Sequence, residues 1–585
     1  MRAPVLSLTA PDPVTIQSPN PLAKRAPAYA RVLVLVVLSL VALLAVALLA
    51  GSLLPSQTLA TRLLSSSSTA GVGTYTQDLV TYLGQRMRLA GGLLLALWLG
   101  LVVLRTPFQD LLQSALEDFT WHVRTPARAD VVAVGATLGL AVSVRIPFLT
   151  QPMRYDEALT FNEFASRPLY YGLSFYPDPN NHLLNTLLMH LTSVVLGSQP
   201  WALRLPAFVA GLLLVPAAYA LTLGMYGRHA AVLGGVLVAV SSYIIEYSTN
   251  ARGYTLQALC FVLVLCLAIA AVQRDSPTAL LVGTLVAALG AYALPTMFYG
   301  VAIVAAWVTL ESRHTRLVRI TAGHLVVSGL LLGLAVTLLY LPVVLVSGAD
   351  KLVSNRFVVP LDLAELVSEL PVSLARTWAF WNRDLSLAVS TALVLGFAVA
   401  SVMAARRRRV PLGLLAPAVC LVMVLVQRVA PFERVWLFLL PLYLAVASGG
   451  LAHLLRAGRL PSFSAAVVAC GLAGFLGLAT LRSGSILSSP ETGAFPDAQA
   501  ATRALRPVLG VDDAVVTTVP ASLPELQYYF ARAGMRIETL VRSPAEARTL
   551  FVIAQPGAAP GVAGWGAPQE LERFSGSVLL VLTRD

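Results

Sequence analysis

The feature that most constrains this chain of 585 residues is a recurrence of apolar blocks. Each is about 20 residues long, the length an α-helix needs to cross a bilayer. Thirteen can be drawn, near 32–54, 89–104, 130–149, 204–224, 230–246, 254–272, 278–294, 297–310, 320–346, 385–404, 411–429, 435–452 and 463–481. In lipid the backbone must satisfy its own hydrogen bonds, which leaves helices as the fold for such blocks. Charged residues make up only 12% of the chain, against roughly 25% in an average soluble domain. A disordered chain, a disulfide scaffold and an ordinary cytosolic enzyme are excluded. The expected fold is mainly α: a polytopic membrane helical bundle of about 13 transmembrane helices.

The net charge of +12 does not point to nucleic acid, because its basic residues gather in short loops between the blocks. With residues 1–31 read as a flexible cytosolic tail, loops after even-numbered blocks are cytosolic. They hold Arg228, Arg274, Arg313 with Arg316 and Arg319, the run Arg406–Arg409, and Arg456 with Arg459. Moving four adjacent arginines across a membrane is very costly, so that run pins the parity. Regions 55–88, 150–203, 247–253, 347–384, 430–434 and the tail 482–585 then face outward. A multi-pass protein of a bacterial plasma membrane is expected, its N-terminus cytosolic and its C-terminal domain extracytoplasmic. Cys260, Cys266, Cys420 and Cys470 all lie in apolar blocks without metal-type spacing and read as packing residues.

The tail reads as a small α/β domain. Val515–Val519, Phe551–Ile553 and Val578–Leu582 have strand character, and Gly534 sits where a helix would end. Ser522 with Glu525, and Ser543 with Glu546, have the spacing of capping boxes.

The chemistry concentrates outside the third block, in Arg154-Tyr155-Asp156-Glu157. Adjacent carboxylates at a membrane face are expensive and need a reason. Asp156 could simply cap a helix starting at Glu157. It could also be a general base, its proton affinity raised by the low-dielectric slab and by an anionic neighbour. Neighbouring side chains on a helix diverge by about 100°, so one carboxylate, Asp156, would face the substrate with Glu157 in support. Downstream, Tyr176 and the turn Asn180-Asn181-His182 offer an aromatic face and hydrogen-bonding groups suited to sugar hydroxyls. The tyrosines could equally form an interface belt. Leu183–Leu196 is too short to span and reads as a helix at the membrane surface. Arg252 and Arg434 open the sixth and twelfth blocks on the same outer face. Arginines there often snorkel to the headgroups; they could also clamp a phosphate.

Together these residues resemble the polytopic GT-C glycosyltransferases, in particular the family-39-like group of protein O-mannosyltransferases and aminoarabinose lipid A transferases. The resemblance runs over about residues 130–450. It rests on Arg154-Tyr155-Asp156-Glu157, Pro179-Asn180-Asn181-His182-Leu183-Leu184, Trp201-Ala202-Leu203-Arg204-Leu205-Pro206, Ala251-Arg252-Gly253-Tyr254 and Glu433-Arg434. It implies a GT-C-type membrane core over 130–481, with an additional transmembrane module over 32–129 and the α/β domain over 482–585. It further implies a polyprenyl-phosphate sugar as donor and inversion at the anomeric carbon. Asp156 matches the acidic catalytic position. Arg252 and Arg434 match positions near the lipid phosphate, with Arg154, Tyr155, Tyr176, Asn180, Asn181, His182 and Tyr254 lining the substrate site. The acceptor would be a glycan, a lipid or a protein, although the small outer domain does not resemble the MIR domain of protein mannosyltransferases. A divalent metal could replace one arginine; none is demanded. Two rival readings are a transporter or flippase for a lipid-linked sugar and a non-catalytic envelope scaffold. Glu246 and Asp130, each at the end of its block, are the carboxylates placed inside drawn blocks, where a transporter would need several deep within them.

Overall fold

The computed structural model describes residues 21–54, 73–118, 127–312, 320–353, 359–458 and 461–584, except 462, 490, 494, 521 and 559–561. The tail 1–20, most of the 55–88 loop, and Arg313, Arg316, Arg319 and Arg459 of the basic loops lie outside the described residues.

Among the described residues, nine helices are long and apolar enough to cross a membrane. They are Pro27–Gly51, Thr81–Val103, Arg128–Leu149, Pro200–Tyr226, Tyr254–Arg274, Ala322–Val346, Leu387–Arg406, Glu433–Ala457 and Ser464–Ser483. The remaining four blocks take other forms. The block at 230–246 is two helices, Arg228–Val240 and Ser242–Ser248, bent by 58°. Three blocks are shorter helices, Pro277–Ala293, Met297–Ser312 and Leu412–Gln427. Leu183–Leu196 is a separate helix of 14 residues, about 21 Å long. Two helices were not anticipated. Arg105–Asp118 follows the second block, and Leu363–Trp381 lies in the 347–384 region.

Burial orders the bundle from centre to rim. Glu433–Ala457 and Tyr254–Arg274 are its most buried helices, whereas Pro27–Gly51 keeps most of its surface exposed. Leu387–Arg406 packs against Leu440–Ala457 through Gly396 and Gly450. A Cβ on Gly450 would meet the Gly396 carbonyl at 1.8 Å, so only glycine permits this approach. The first two long helices and Arg105–Asp118 make their own core, closed by Val327 and Leu334 of Ala322–Val346.

Arg145 explains how the bend at Ser241 is held. Its side chain is fully buried among apolar helices and touches no carboxylate. It donates instead to the carbonyls of Ala239, at 2.7 Å, and Ala141, at 3.1 Å. The Ala239 carbonyl belongs to the last turn before the bend, where a helix lacks its own donors. No proline or glycine marks position 241, so the sequence reads there as one unbroken block.

Loop contacts sort into two sets. At one end, Arg228 pairs with Asp130 at 2.7 Å, Arg409 with Glu311 at 2.5 Å, and Ile320 N–H donates to Asp275. At the other end, Arg154 reaches Glu246, Gly253 N–H donates to His182, and Arg86 donates to the carbonyls of Val346 and Ser347. The first set joins stretches bordering even-numbered loops, the second set odd-numbered ones.

The C-terminal domain has a four-stranded sheet in the order β1-β2-β4-β3. β1 is Ala514–Thr517, β2 Thr549–Ala554, β3 Gln569–Arg573 and β4 Val578–Thr583. β1 and β2 are parallel, joined across the helix Leu523–Ala533, and the other pairs are antiparallel. Gly534 ends that helix at φ +68°. β3 was not anticipated: its five residues are all exposed and three are charged, the usual disguise of an edge strand. The expected capping boxes do not form. The Ser522 hydroxyl donates to the Val519 carbonyl and lies 2.7 Å from Thr517 Oγ1, while Glu525 accepts from Phe495 N–H. Ser543 accepts from Ala545 N–H in a single 3₁₀ turn.

Replacing Arg145 by Met should cost about 1–3 kcal/mol, the penalty of stranding buried carbonyls. Thermal aggregation of the detergent-purified protein should then begin several degrees lower; an unchanged onset would show that the bend holds without the guanidinium.

Candidate active site

The site is built around a short helix, Tyr155–Thr160, that continues into a π-helical turn, Phe161–Ala165. Arg154 precedes the helix, so Asp156 is its second residue and not its cap. The two acidic side chains diverge as their positions on a helix require.

Glu157 turns inward and is fully buried. Its Oε1 accepts from Arg204 Nε at 2.8 Å and from Ala251 N–H at 2.6 Å. Its Oε2 accepts from Arg204 Nη2 at 2.6 Å and from Arg154 N–H at 3.0 Å. Burial alone would push this carboxyl up, but the charge and hydrogen bonds of Arg204, with help from Arg154 and Ala251, hold it below the usual carboxylate range. Arg204 is also fully buried and donates further to the carbonyls of Leu149, Gln151 and Pro152. Glu157 thus fixes the helix and, through Ala251, the loop that carries Arg252.

Asp156 turns outward and forms an ion pair with Arg434 at 2.7 Å. The pair is the partly open part of an otherwise buried shell: Asp156 is 13% exposed and Arg434 20%. The charge in contact with Asp156 is therefore a cation. The expected anionic neighbour, Glu157, spends its charge on Arg204, and this corrects the electrostatic environment anticipated from the sequence.

Arg252 lies on the other flank of the helix, buried. Its Nη1 donates to Thr160 Oγ1 at 2.6 Å and to the Asn180 carbonyl at 2.8 Å, and lies 3.5 Å from the Asp156 carbonyl. Its Nη2 is 3.1 Å from His182 Nε2. His182 Nδ1 accepts from Gly253 N–H at 2.9 Å. Gly253 makes this approach easy, since a Cβ would press on the Ala293 carbonyl at 3.0 Å and the His182 side chain at 3.1 Å. Burial, then the charges of Arg252 and Arg434, hold the imidazole well below its usual range, so His182 is neutral at pH 7. The Tyr254 ring meets His182 edge-on at 5.0 Å and lies 6.0 Å from the Arg434 guanidinium.

The other anticipated residues divide by role. Asn180 contacts Thr160 and Arg252 and belongs to the shell. Asn181 is spent on the turn: it donates to the Gly172 and Phe175 carbonyls and accepts from Thr186. Arg154 is spent on structure, donating to Glu246, Thr492, Gln151 and the Ile486 carbonyl. Tyr176 is buried beside Tyr340 and Leu183, where burial pushes its hydroxyl up. Tyr155 donates its N–H to the Gly493 carbonyl.

Three members of the site are not among the residues expected to line it. Thr160 falls one turn after Asp156, a spacing that could have suggested it. Glu246 is buried between Arg154, at 2.9 Å, and Arg383, at 2.6 Å. Glu491 accepts from the Tyr243 hydroxyl at 3.0 and 3.1 Å, and its carbonyl is 3.4 Å from Arg434 Nη1. The C-terminal domain itself roofs the site. Tyr529 hydroxyl accepts from Met153 N–H at 3.0 Å, Asn162 donates to the Pro524 carbonyl at 2.9 Å, and Phe161 packs edge-on against Tyr528. Among the described residues no group of three or more His, Cys, Asp or Glu is placed to hold a metal ion. The cations of the shell are the guanidiniums of Arg434 and Arg252.

With this geometry in hand, comparison with known families is informative. Residues 182–341, about a quarter of the chain, match the family model described as dolichyl-phosphate-mannose-protein mannosyltransferase. That stretch is the part of the chain similar to this family. It begins at His182 and contains Arg204 and the Arg252 loop, residues on which the glycosyltransferase resemblance rests. No curated protein matches the chain by sequence. Among solved structures, apo ArnT from Cupriavidus metallidurans aligns with a TM-score of 0.49 at 13% identity, over 77% of this chain and 98% of that one. The same protein bound to undecaprenyl phosphate gives 0.45 at 12% identity, over 78% and 98%. The archaeal oligosaccharyltransferase AglB from Archaeoglobus fulgidus, in complex with an inhibitory peptide and a dolichol-phosphate, gives 0.45 at 11% identity, over 73% and 69%.

The two acidic neighbours should separate cleanly in a stability measurement. Arg204→Met strands the Glu157 charge and should cost about 3–5 kcal/mol, seen as loss of monodisperse protein on heating in detergent. Asp156→Asn, at a partly open pair, should cost less, about 1.5–3 kcal/mol, the range of one hydrogen bond to a charged group. Equal losses would refute the division of labour.

Proposed function

We propose that the chain is a membrane glycosyltransferase that moves a sugar from a polyprenyl phosphate to an extracytoplasmic hydroxyl, with inversion at the anomeric carbon. The observation that carries this reading is the Asp156–Arg434 ion pair at 2.7 Å, partly open within a buried shell that also holds Arg252. The mannosyltransferase-family match over 182–341 supports it.

In this reading the lipid phosphate approaches Arg434 and shares its guanidinium with Asp156. A guanidinium fork suits a phosphate, and its charge offsets the charge that grows on the leaving group. Arg252 adds positive potential from behind the helix and holds Thr160 and the Asn180 turn. Asp156, no longer sole partner of Arg434, accepts the proton of the acceptor hydroxyl. The acceptor oxygen bonds to the sugar C1 as the bond from C1 to the phosphate oxygen breaks, through an oxocarbenium-like transition state by analogy with glycoside hydrolysis. Glu157 and Arg204 position these groups and take no proton.

The same reading assigns thirteen crossings: the nine long helices, the bent pair as one, and the three shorter helices. It puts the N-terminus and the arginine-rich loops in the cytosol and the site on the outer face of a bacterial plasma membrane. A glycan, lipid or protein hydroxyl serves as acceptor.

The test uses the full-length protein in liposomes with a panel of radiolabelled polyprenyl-phosphate sugars, mannose included. Asp156→Asn should lower transfer by at least about a thousandfold, the scale of a lost general base combined with lost orientation, while polyprenyl phosphate still binds. Retained turnover would remove Asp156 from the role. Translocation of the lipid sugar without a product would favour the flippase, and neither product nor translocation the scaffold.

A further inference from the structure

Glu491 lies on the strap between the last membrane helix and the C-terminal domain, a stretch to which no chemistry has been assigned. The strap crosses the start of the site helix. Ile486 and Thr492 receive Arg154, Gly493 receives Tyr155 N–H, and Glu491 offers its carbonyl to the same Arg434 nitrogen that pairs with Asp156. Its carboxylate accepts from one hydroxyl, that of Tyr243, which straddles both oxygens. Among the described residues no hydrogen bond links that carboxylate to a cation, unlike Asp156, Glu157 and Glu246. Next to it the Tyr247 hydroxyl is buried and has no hydrogen-bond partner among the described residues. Tyr247 packs edge-on against both Tyr243, at 5.3 Å, and Tyr254, at 5.0 Å, and Tyr243 stacks on Phe380.

Aromatic faces, a phenol without a partner and a carboxylate with free acceptor capacity make up the chemistry that holds a hydroxyl-rich ring. They lie beside the arginine proposed to take the phosphate. A molecule with its anionic group on Arg434 would bring the neutral group attached to that phosphate toward Glu491.

We propose that Glu491, with Tyr247, forms the subsite that binds the hydroxyl groups of the sugar being transferred, the ionised carboxylate accepting their hydrogen bonds. This rests on the lipid-phosphate reading above and goes beyond it by assigning the sugar to a named carboxylate. The groups around Glu491 are Tyr243, Tyr247 and Glu246 on the bent pair, Glu433 and Arg434 at the start of their helix, and Asp156 through Arg434; Arg154 and Arg383 neutralise Glu246. Burial first, then Glu246, push the Glu491 carboxyl up to about 7. A carboxylate that must be ionised to accept these bonds therefore works above that pH and loses its grip as the pH falls through it.

The experiment measures binding of two lipids to the full-length protein in nanodiscs. One is a polyprenyl-phosphate sugar from the same panel; the other is the methyl diester of the same polyprenyl phosphate, with the same single charge and no sugar. At pH 8 at least one sugar form should bind about tenfold to a hundredfold tighter than the methyl diester, the range of hydrogen bonds to a charged group. Glu491→Gln should erase most of that advantage and leave the methyl diester's affinity within about threefold. Tyr247→Phe should reduce the advantage less. In the wild type, lowering the pH from 8 to 6 should shrink the advantage, and in Glu491→Gln it should not. This pH arm needs no substitution, so it decides even if the variant folds poorly. If the methyl diester binds but no sugar form gains over it, or if Glu491→Gln keeps the advantage, the subsite is refuted and the lipid-phosphate reading stands. If neither lipid binds, both fall.

Discussion

The buried pairing of Glu157 with Arg204 is the constraint on which the rest of the site depends. Each side chain is saturated: the carboxylate takes four hydrogen bonds, and the guanidinium spends all five of its donors. Burying two charges is costly, and only such complete pairing offsets it. The return is geometric. One ion pair joins the end of the third membrane helix, the start of the fourth, the site helix and the Arg252 loop. Asp156 can then sit at an opening, in a partly exposed pair with Arg434, because its neighbour in sequence is held on every side.

The aromatic and basic residues around this anchor were partly legible in the sequence. Asp156, Arg252, His182, Tyr254 and Arg434 were all singled out, and the structure brings them into one shell. Each lies in a short motif at the edge of an apolar block, where a polar residue is conspicuous. Arg154 and Asn181 were equally conspicuous, yet their side chains are consumed by local structure. Residue type and position do not distinguish a group that faces a ligand from one that faces a carbonyl.

What stayed hidden has physical reasons. The bend at Ser241 depends on Arg145, 96 positions earlier, reaching carbonyls that no local pattern exposes. Glu491 sits in an unremarkable strap and becomes part of the site only when the strap crosses the helix at 155. The capping spacing of Ser522 and Glu525 was a sound local rule that lost to packing within the C-terminal domain, where the Phe495 N–H claims Glu525. Apolar periodicity, in contrast, acts over one helix at a time, and all thirteen blocks coincide with helices.

The roof formed by Tyr529, Thr492 and the strap has a consequence for biosynthesis. The helix bearing Asp156 is specified within the first third of the chain, yet several of its hydrogen-bond partners arrive only with residues 486–529. A ribosome must make nearly the whole polypeptide before that helix acquires its final contacts. Nascent chains therefore carry the acidic pair long before they carry the contacts that frame it, and docking of the C-terminal domain completes the shell around that helix.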